Sequence, residues 1–409
     1  LKEREWYMSI IEAAKAKVQD QWSALAEVSK LNQAKVLTAF QECRVGAHCF
    51  TDSTGYGYHD LGRDALENVY KTVFKTEAAL VRPQIVSGTH AINLCLSILN
   101  AGDQLISISG TPYDTLQQVI GTKGSTRTSL IKRGVEYQEV PLTAEGKLDY
   151  DLIAKTVTKD TRMVMLQRSR GYSWRPSITI EEIKKAFAIV KSINPDCICF
   201  VDNCYGEFAE LQEPTEVGAN LIAGSLIKNP GGGLAPSGGY IVGDADLVEL
   251  CSEYLTAPGI GAEVGPTFNM IRELMQGFFI APHVVGQALR GAILASQVFQ
   301  DLGYEVSPLP TEKRTDIIQA IKLNSRDKLL AFCRAIQFAA PIDSQFAPIP
   351  EDMPGYDDQI VMAGGTFIQG SSIELSADAP VKEPYIVYLQ GGLCLEHVEL
   401  ALEAVIKTL

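Results

Sequence analysis

Asp202 and Lys228 are two residues whose chemistry the rest of this sequence can be read around. Asp202 ends the apolar run Cys197-Ile198-Cys199-Phe200-Val201, and Lys228 follows about 26 residues later in Ser225-Leu226-Ile227-Lys228-Asn229-Pro230, ahead of Gly231, Gly232 and Gly233. Pyridoxal 5'-phosphate (PLP) needs an amine for a Schiff base and a carboxylate to keep its pyridinium nitrogen protonated. This pair supplies both. An isolated charge at the end of a buried strand is costly unless paired, and a pyridinium is one such partner for Asp202; a capping aspartate or a metal ligand is the competing reading. Desolvation should lower the pKa of Lys228 and favour its neutral, nucleophilic form. Its competing reading is a surface lysine in a loop. A Walker-type phosphate loop is excluded, because there the glycines precede the lysine.

A third element comes earlier in the chain. Ser87-Gly88-Thr89-His90 joins an expected strand to an expected helix. Free N–H groups at such a helix start, with two hydroxyls, suit a phosphate; an ordinary N-cap uses the same residue types. The phosphate loop, the acid and the lysine occur in that order, each at a strand exit. Ligands of open α/β sheets sit outside those carboxyl ends.

The elements that must position these groups follow from periodicity. Residues 1–45 read as two helices, with Trp6, Ile10, Ile11, Ala14 and Val18 on one face. Helices are then expected near 63–74, 91–99 and 180–192, and strands near 84–86, 104–108, 162–166, 197–201 and 223–226. This alternation predicts a largely parallel sheet covered on both faces. Pro282 is expected to open a long helix to Leu302, and prolines 308 and 310 mark entry to a smaller α+β unit. Its strands are expected near 316–322, 359–363, 371–375 and 385–389, with helices near 326–338 and 396–408. The proline-rich loop 340–355 is long enough to border the site. The resulting division is an N-terminal helical arm and interface segment (1–60), a large cofactor-binding α/β domain (61–300) and a small α+β domain (301–409).

Several stretches carry a resemblance. Ser87-Gly88-Thr89, Pro112-Tyr113-Asp114-Thr115, Val201-Asp202-Asn203 and Ser225-x-x-Lys228 resemble the fold-type I PLP enzymes of cysteine and methionine metabolism. Gly55-Tyr56-Gly57-Tyr58, Gln167-Arg168-Ser169-Arg170-Gly171-Tyr172, the segment 225–233 and Gly365-Thr366-Phe367-Ile368-Gln369-Gly370-Ser371-Ser372 are similar to the bacterial methionine gamma-lyase-like, or aluminium-resistance, family. The resemblance implies the aspartate aminotransferase fold type I, with a mainly parallel seven-stranded sheet and a smaller C-terminal α+β domain. It implies a PLP aldimine at Lys228, Asp202 on the pyridine nitrogen, and Ser87, Gly88, Thr89 and Ser225 around the phosphate. Tyr113 would stack on the cofactor and help protonate a leaving sulfur, and Tyr56 would reach a neighbouring subunit's phosphate. The implied assembly is a homodimer at minimum and a homotetramer by analogy. The N-terminal helices, through Trp6 and Tyr7, could serve that interface or a satellite core.

The wider family clamps the substrate carboxylate with a C-terminal arginine, yet no arginine follows Arg334 here. Arg168 and Arg170, with Tyr172, are the natural replacement, and Lys382 is a further candidate; a solvated loop is the competing reading for the arginines. The expected activity is carbon–sulfur β- or γ-elimination on an amino acid such as cystathionine or methionine. The alternatives are another fold-type I reaction (aminotransfer, aldol cleavage, decarboxylation or racemisation) or a weakly catalytic PLP-binding regulator.

Composition narrows the partners. The 409 residues are 46% hydrophobic with formal charge −13, enough for a large core and unsuited to nucleic acid or an anionic membrane surface. The densest apolar run, 92–99, is far below membrane-spanning length. The charged start without Met reads as trimmed, not as a signal peptide. The nine cysteines include no CxxC pair, so reduced core thiols in a cytoplasmic protein are expected, with no metal.

Overall fold

The computed structural model describes residues 2–124, 126–353 and 356–409, with side chains from residue 8 onward, so the expectations for the side chains of Trp6 and Tyr7 and for the last two positions of loop 340–355 lie outside the described residues. Seven strands form the large sheet: β1 (Ala78–Arg82), β2 (Gln104–Ser107), β3 (Glu136–Glu139), β4 (Thr161–Gln167), β5 (Ile198–Asp202), β6 (Leu221–Ser225) and β7 (Gly239–Gly243). Their order is β1-β7-β6-β5-β4-β2-β3, parallel except for β7, which runs antiparallel to both neighbours. A second sheet is antiparallel throughout, with β8 (Glu305–Ser307), β9 (Ile318–Lys322), β10 (Ile360–Ala363), β11 (Ser376–Pro380) and β12 (Ile386–Gln390) in the order β10-β11-β12-β9-β8. This is the expected mainly parallel seven-stranded sheet with a smaller α+β unit.

The central strands β4, β5 and β6 are buried almost end to end, as two-sided burial of a parallel sheet requires. One core face gathers Tyr70, Phe74, Phe208, Tyr240 and Phe278, with the Tyr70 and Phe278 rings stacked at 3.9 Å. The other face packs Ile92, Leu96, Leu105, Met163 and Phe200. A separate core under the small sheet includes Ile11 and Ala14 of the N-terminal helix Lys2–Lys17, Trp22 of the helix Gln19–Glu42, and Val18 at the junction between them.

Three element expectations are corrected. The strand near 84–86 lies earlier, as β1, because the Arg82 guanidinium at its end is buried on Glu67 at 2.7 Å and on the carbonyls of Ala262 and Val264. The strand near 371–375 is instead β11, whose Ala, Asp and Pro residues are poor strand formers by composition yet pair on both sides. The long helix runs from Ile271 to Asp301, so Pro282 lies inside it, while Gln33 donates to the Phe279 carbonyl at 2.8 Å beside that gap. Ile271–Asp301 is also the one described helix long and apolar enough to cross a membrane, although most of that stretch is buried in the protein.

Behind the sheet's carboxyl edge a polar network fixes the loop after β5. Arg168 is fully buried, donating to Asn203 Oδ1 at 2.8 Å, the Gly206 carbonyl at 3.0 Å and Glu210 Oε1 at 3.3 Å. A Cβ at Gly206 would lie 2.5 Å from the Arg168 Nη1, so only glycine fits. Tyr240 donates to Glu207 Oε1 at 2.7 Å, and Asn229, next to Lys228, donates to the Glu207 carbonyl at 2.9 Å. Burial pushes the Glu207 carboxyl up to about 8. Because this folded-state pKa exceeds the ordinary value of 4.5, Glu207 should cost stability progressively as pH rises from about 4.5 to about 8. Glu207→Gln should therefore gain thermal stability relative to the native protein across that window. Parallel melting curves in which the difference does not change with pH would refute the assignment.

Candidate active site

The carboxyl ends of β2, β4, β5 and β6 open into a cleft of about 580 Å³. Ser87, Gly88, Thr89, Tyr113, Asp202, Ser225 and Lys228 all line it, as do Arg170 and Tyr172. Residues spread over the sequence from 87 to 228 thus meet in one place.

The helix Gly88–Ser97 starts in this cleft, and its N-cap Ser87 Oγ accepts from the His90 N–H at 3.0 Å. Ser87 therefore caps the helix, as the competing reading proposed, and still lines the cleft. A Cβ on Gly88 would sit 3.2 Å from Cys204 Sγ and 3.3 Å from Ser225 Cβ, so the helix start packs directly on the exit of β6. Thr89 Oγ1 and Tyr113 Oη are 3.1 Å apart, and the Tyr113 N–H donates to Gln167 Oε1 at 3.1 Å. The result is a cradle of hydroxyls and helix-start N–H groups, which suits a phosphate.

Asp202 is buried at the end of β5, where its Oδ1 accepts from the Cys204 N–H at 3.1 Å. Burial raises its carboxyl above the ordinary range, while Lys228 works to lower it. Lys228 Nζ stands 4.0 Å from the Tyr205 ring centroid. The expectation of a lowered lysine pKa is corrected. Burial does pull the ammonium down, but Cys204, Tyr205, Asp202 and Tyr113 together hold it well above the usual lysine range. Tyr205 has φ +72, a left-handed conformation rarely adopted by a bulky residue, and it faces the key amine. Burial also raises Tyr113, so its phenol is protonated at neutral pH.

Two residues expected at the site lie elsewhere, and a third, Tyr56, expected to reach a neighbouring subunit's phosphate, does not line this chain's own cleft. Arg168 is consumed by the buried network and does not line the cleft. Lys382 is exposed, pairs with Asp358 at 2.7 Å, and lines a separate small pocket beside Trp174. Tyr56 is 72% exposed, on a loop whose carbonyl accepts from Gly265 N–H at 2.9 Å.

Arg170 is placed differently. It is 1% exposed, its Nη1 donates to the Ser307 carbonyl at 2.8 Å and to Ser307 Oγ at 3.0 Å, and its Nε and Nη2 have no partner among the described residues. Those two atoms form one edge of the guanidinium, the edge that meets a carboxylate side-on. Sequence reasoning missed Tyr205, Tyr356, Tyr388 and Gln390, which also line the cleft. Tyr205 follows Asp202 by three, a usable signal; Tyr356 ends the long loop, and Tyr388 and Gln390 arrive on β12, which local pattern does not direct to the cleft. Among the described residues no cluster of His, Cys, Asp and Glu is arranged for a metal, and the cysteines form no disulfide.

Comparison with known proteins agrees with this architecture. The profile of the methionine gamma-lyase family matches residues 7–409. An uncharacterized Bacillus subtilis protein, YnbB, is 50% identical over 94% of this chain and 92% of its own. A Listeria monocytogenes structure, named as a candidate cystathionine beta-lyase involved in aluminium resistance, is 51% identical with TM-score 0.96, covering 98% of this chain and 99% of that one. A carbon–sulfur lyase involved in aluminium resistance from Clostridium novyi is 49% identical with TM-score 0.95, covering 99% of this chain and 96% of that one. The fold alone extends to the PLP-dependent protein YhfS of Escherichia coli, at 16% identity and TM-score 0.63 over 94% of this chain and 97% of that one. A whole-length family match, carried on the fold-type I architecture and on a cleft that joins Lys228, Asp202 and the Ser87–Thr89 helix start, places this chain in the methionine gamma-lyase family.

Proposed function

We propose that the protein is a PLP-dependent carbon–sulfur lyase acting by β- or γ-elimination on a sulfur-containing amino acid such as cystathionine or methionine. The observation that carries this reading is the half-buried Lys228 sharing one cleft with the buried Asp202 and a phosphate-type helix start. The residues fit the cofactor: Asp202 is a buried acid in need of a cationic partner, and Gly88 leaves the space between Cys204 and Ser225 that any side chain would crowd. Gly88, Thr89 and Ser225, with Ser87, would hold the phosphate, Asp202 the pyridine nitrogen, and Lys228 the aldehyde carbon. When bound, PLP supplies an electron-withdrawing ring that stabilises negative charge at an amino acid's α-carbon.

The chain's own groups supply the rest. Arg170, which lines the cleft, would pair with the substrate carboxylate and fix the orientation of its α-carbon. Lys228 Nζ takes the α-proton as general base. Tyr113 Oη, kept protonated by burial, donates to the departing sulfur. The names of the close relatives, a carbon–sulfur lyase and a candidate cystathionine beta-lyase, support elimination over aminotransfer. They also support asking whether this chain takes part in aluminium resistance.

Borohydride reduction of the protein with PLP should leave a phosphopyridoxyl group on Lys228, and Lys228→Ala should lose both that adduct and nearly all keto-acid release. An unmodified Lys228 in a fully active protein would sink the assignment. Arg170→Ala should raise KM by about tenfold to a hundredfold, the cost of about one charge-assisted contact, with a smaller change in kcat. Unaltered kinetics would return the carboxylate contact to another residue.

We also propose a homodimer as the minimum assembly, with a homotetramer by analogy and a cytoplasmic setting for the reduced thiols. Tyr56, Tyr58 and Phe268 are exposed on two loops joined by the Gly265–Tyr56 bond and by Asn269 N–H to Asp52 at 2.6 Å. Sedimentation should find a dimer or larger species, with Tyr56→Ala weakening PLP retention. A fully active monomer would contradict the shared site.

A further inference from the structure

Tyr205 follows Asp202 by three residues and is held in a sparsely populated backbone conformation. Its φ of +72 lies in the left-handed region, which a bulky side chain adopts only when its surroundings force it. The forcing groups are identifiable. Arg168 donates to Asn203 Oδ1 at 2.8 Å and to the Gly206 carbonyl at 3.0 Å, the residues two before and one after Tyr205. The Cys204 N–H is fixed on Asp202 Oδ1 at 3.1 Å, and the Gly206 N–H on the Asn203 carbonyl at 2.9 Å. The turn is thus clamped on both sides of Tyr205. Its side chain lines the cleft, where Lys228 Nζ stands 4.0 Å from the ring centroid.

At that distance a ring face attracts an ammonium. The phenol is not the attracting group, because burial raises Tyr205 above the ordinary range and leaves it neutral at physiological pH. Lys228 therefore meets an aromatic face and not a phenolate. Other groups act on the same amine: Cys204, Asp202 and Tyr113, and also Glu207, Tyr356 and Asp378. Asp202 and Tyr113 already have roles in the reaction above, and burial keeps the Cys204 thiol neutral. The face of Tyr205 has no such role and is free to serve the lysine.

We propose that Tyr205 is a positioning residue for Lys228: its ring face receives the lysine ammonium once the amine has taken the α-proton, and the clamped turn holds that face in place. A base whose charged form is stabilised is the stronger base, so the ring favours proton removal. This use of the contact rests on the lyase reading, whereas the contact itself does not.

The test reads the lysine apart from turnover. Competitive acetylation of the cofactor-free protein with acetic anhydride across pH, with the Lys228 peptide followed by mass spectrometry, gives the pKa of the amine. Tyr205→Phe keeps the ring and should leave that pKa near its native value. Tyr205→Leu removes the ring and should lower it by about half a unit to one and a half units, the scale of a cation–ring contact. Trifluorophenylalanine in place of Tyr205 keeps the shape while draining the ring face, and should lower it as well. An unshifted pKa in that isosteric variant overturns the proposal, even where Tyr205→Leu fails to fold. So does a Tyr205→Phe shift as large as the leucine one, which would move the effect from the ring to the hydroxyl. With PLP and a thioether amino acid, Tyr205→Leu should lower kcat about threefold to tenfold with little change in KM. An unaltered kcat beside a shifted pKa overturns the proposed use of the ring. A ring-dependent pKa in a protein that releases no keto acid from any thioether amino acid upholds the contact and overturns the lyase reading instead.

Discussion

The Lys228 amine stands where Cys204, Tyr205, Asp202 and Tyr113 together favour its charged form, and Asp202 is the carboxylate among them. That juxtaposition governs the architecture around it. Asp202 ends β5, in register with Gln167 of β4 and Ala223 of β6, so the sheet itself sets where the acid sits. Lys228 follows β6 by a short turn in which its own N–H reaches back to the Ser225 carbonyl. The Arg168 network then braces the loop between the two strands, so neither charge can shift without breaking buried hydrogen bonds.

Close backbone approach is the second support, and glycine makes it possible where a turn must meet another element. Gly88 lets a helix start touch Cys204 and Ser225. A Cβ on Gly277 would lie 2.2 Å from the Gly231 carbonyl oxygen, so the turn after Lys228 rests directly on the helix Ile271–Asp301. The glycines after Lys228 thus have a packing reason, separate from any contact with a ligand.

The sequence revealed those parts of the site that one local element carries. Ser87–Thr89, Asp202, Ser225 and Lys228 each stand at the end of a recognisable strand, so their order alone suggested a shared edge. The arginine cluster was legible as a cluster but not residue by residue. Arg168 and Arg170 are two apart, and the turn after β4 sends one into the polar network and the other to the cleft, which composition cannot distinguish. Tyr388 and Gln390 come from β12 of the small sheet and Tyr356 from the loop before β10, and only tertiary packing brings them to the cleft of Lys228. The lysine's raised pKa was missed for a related reason: desolvation can be guessed from a buried strand, whereas the surrounding acid, thiol and phenols cannot. The displaced strands follow from burial as well, since Arg82 and the Asp- and Pro-containing β11 look unlike strands until their partners are known.

The helix Ile271–Asp301 belongs to two hydrophobic cores at once. Its residues through Leu289 pack under the large sheet, and those from Ile293 to Phe299 pack under the small one. Neither core can come apart without stripping half of this helix of its cover. The two sheets are thereby joined into a single cooperative unit of unfolding, and a fragment cut between them would carry a bare apolar half-helix into solvent.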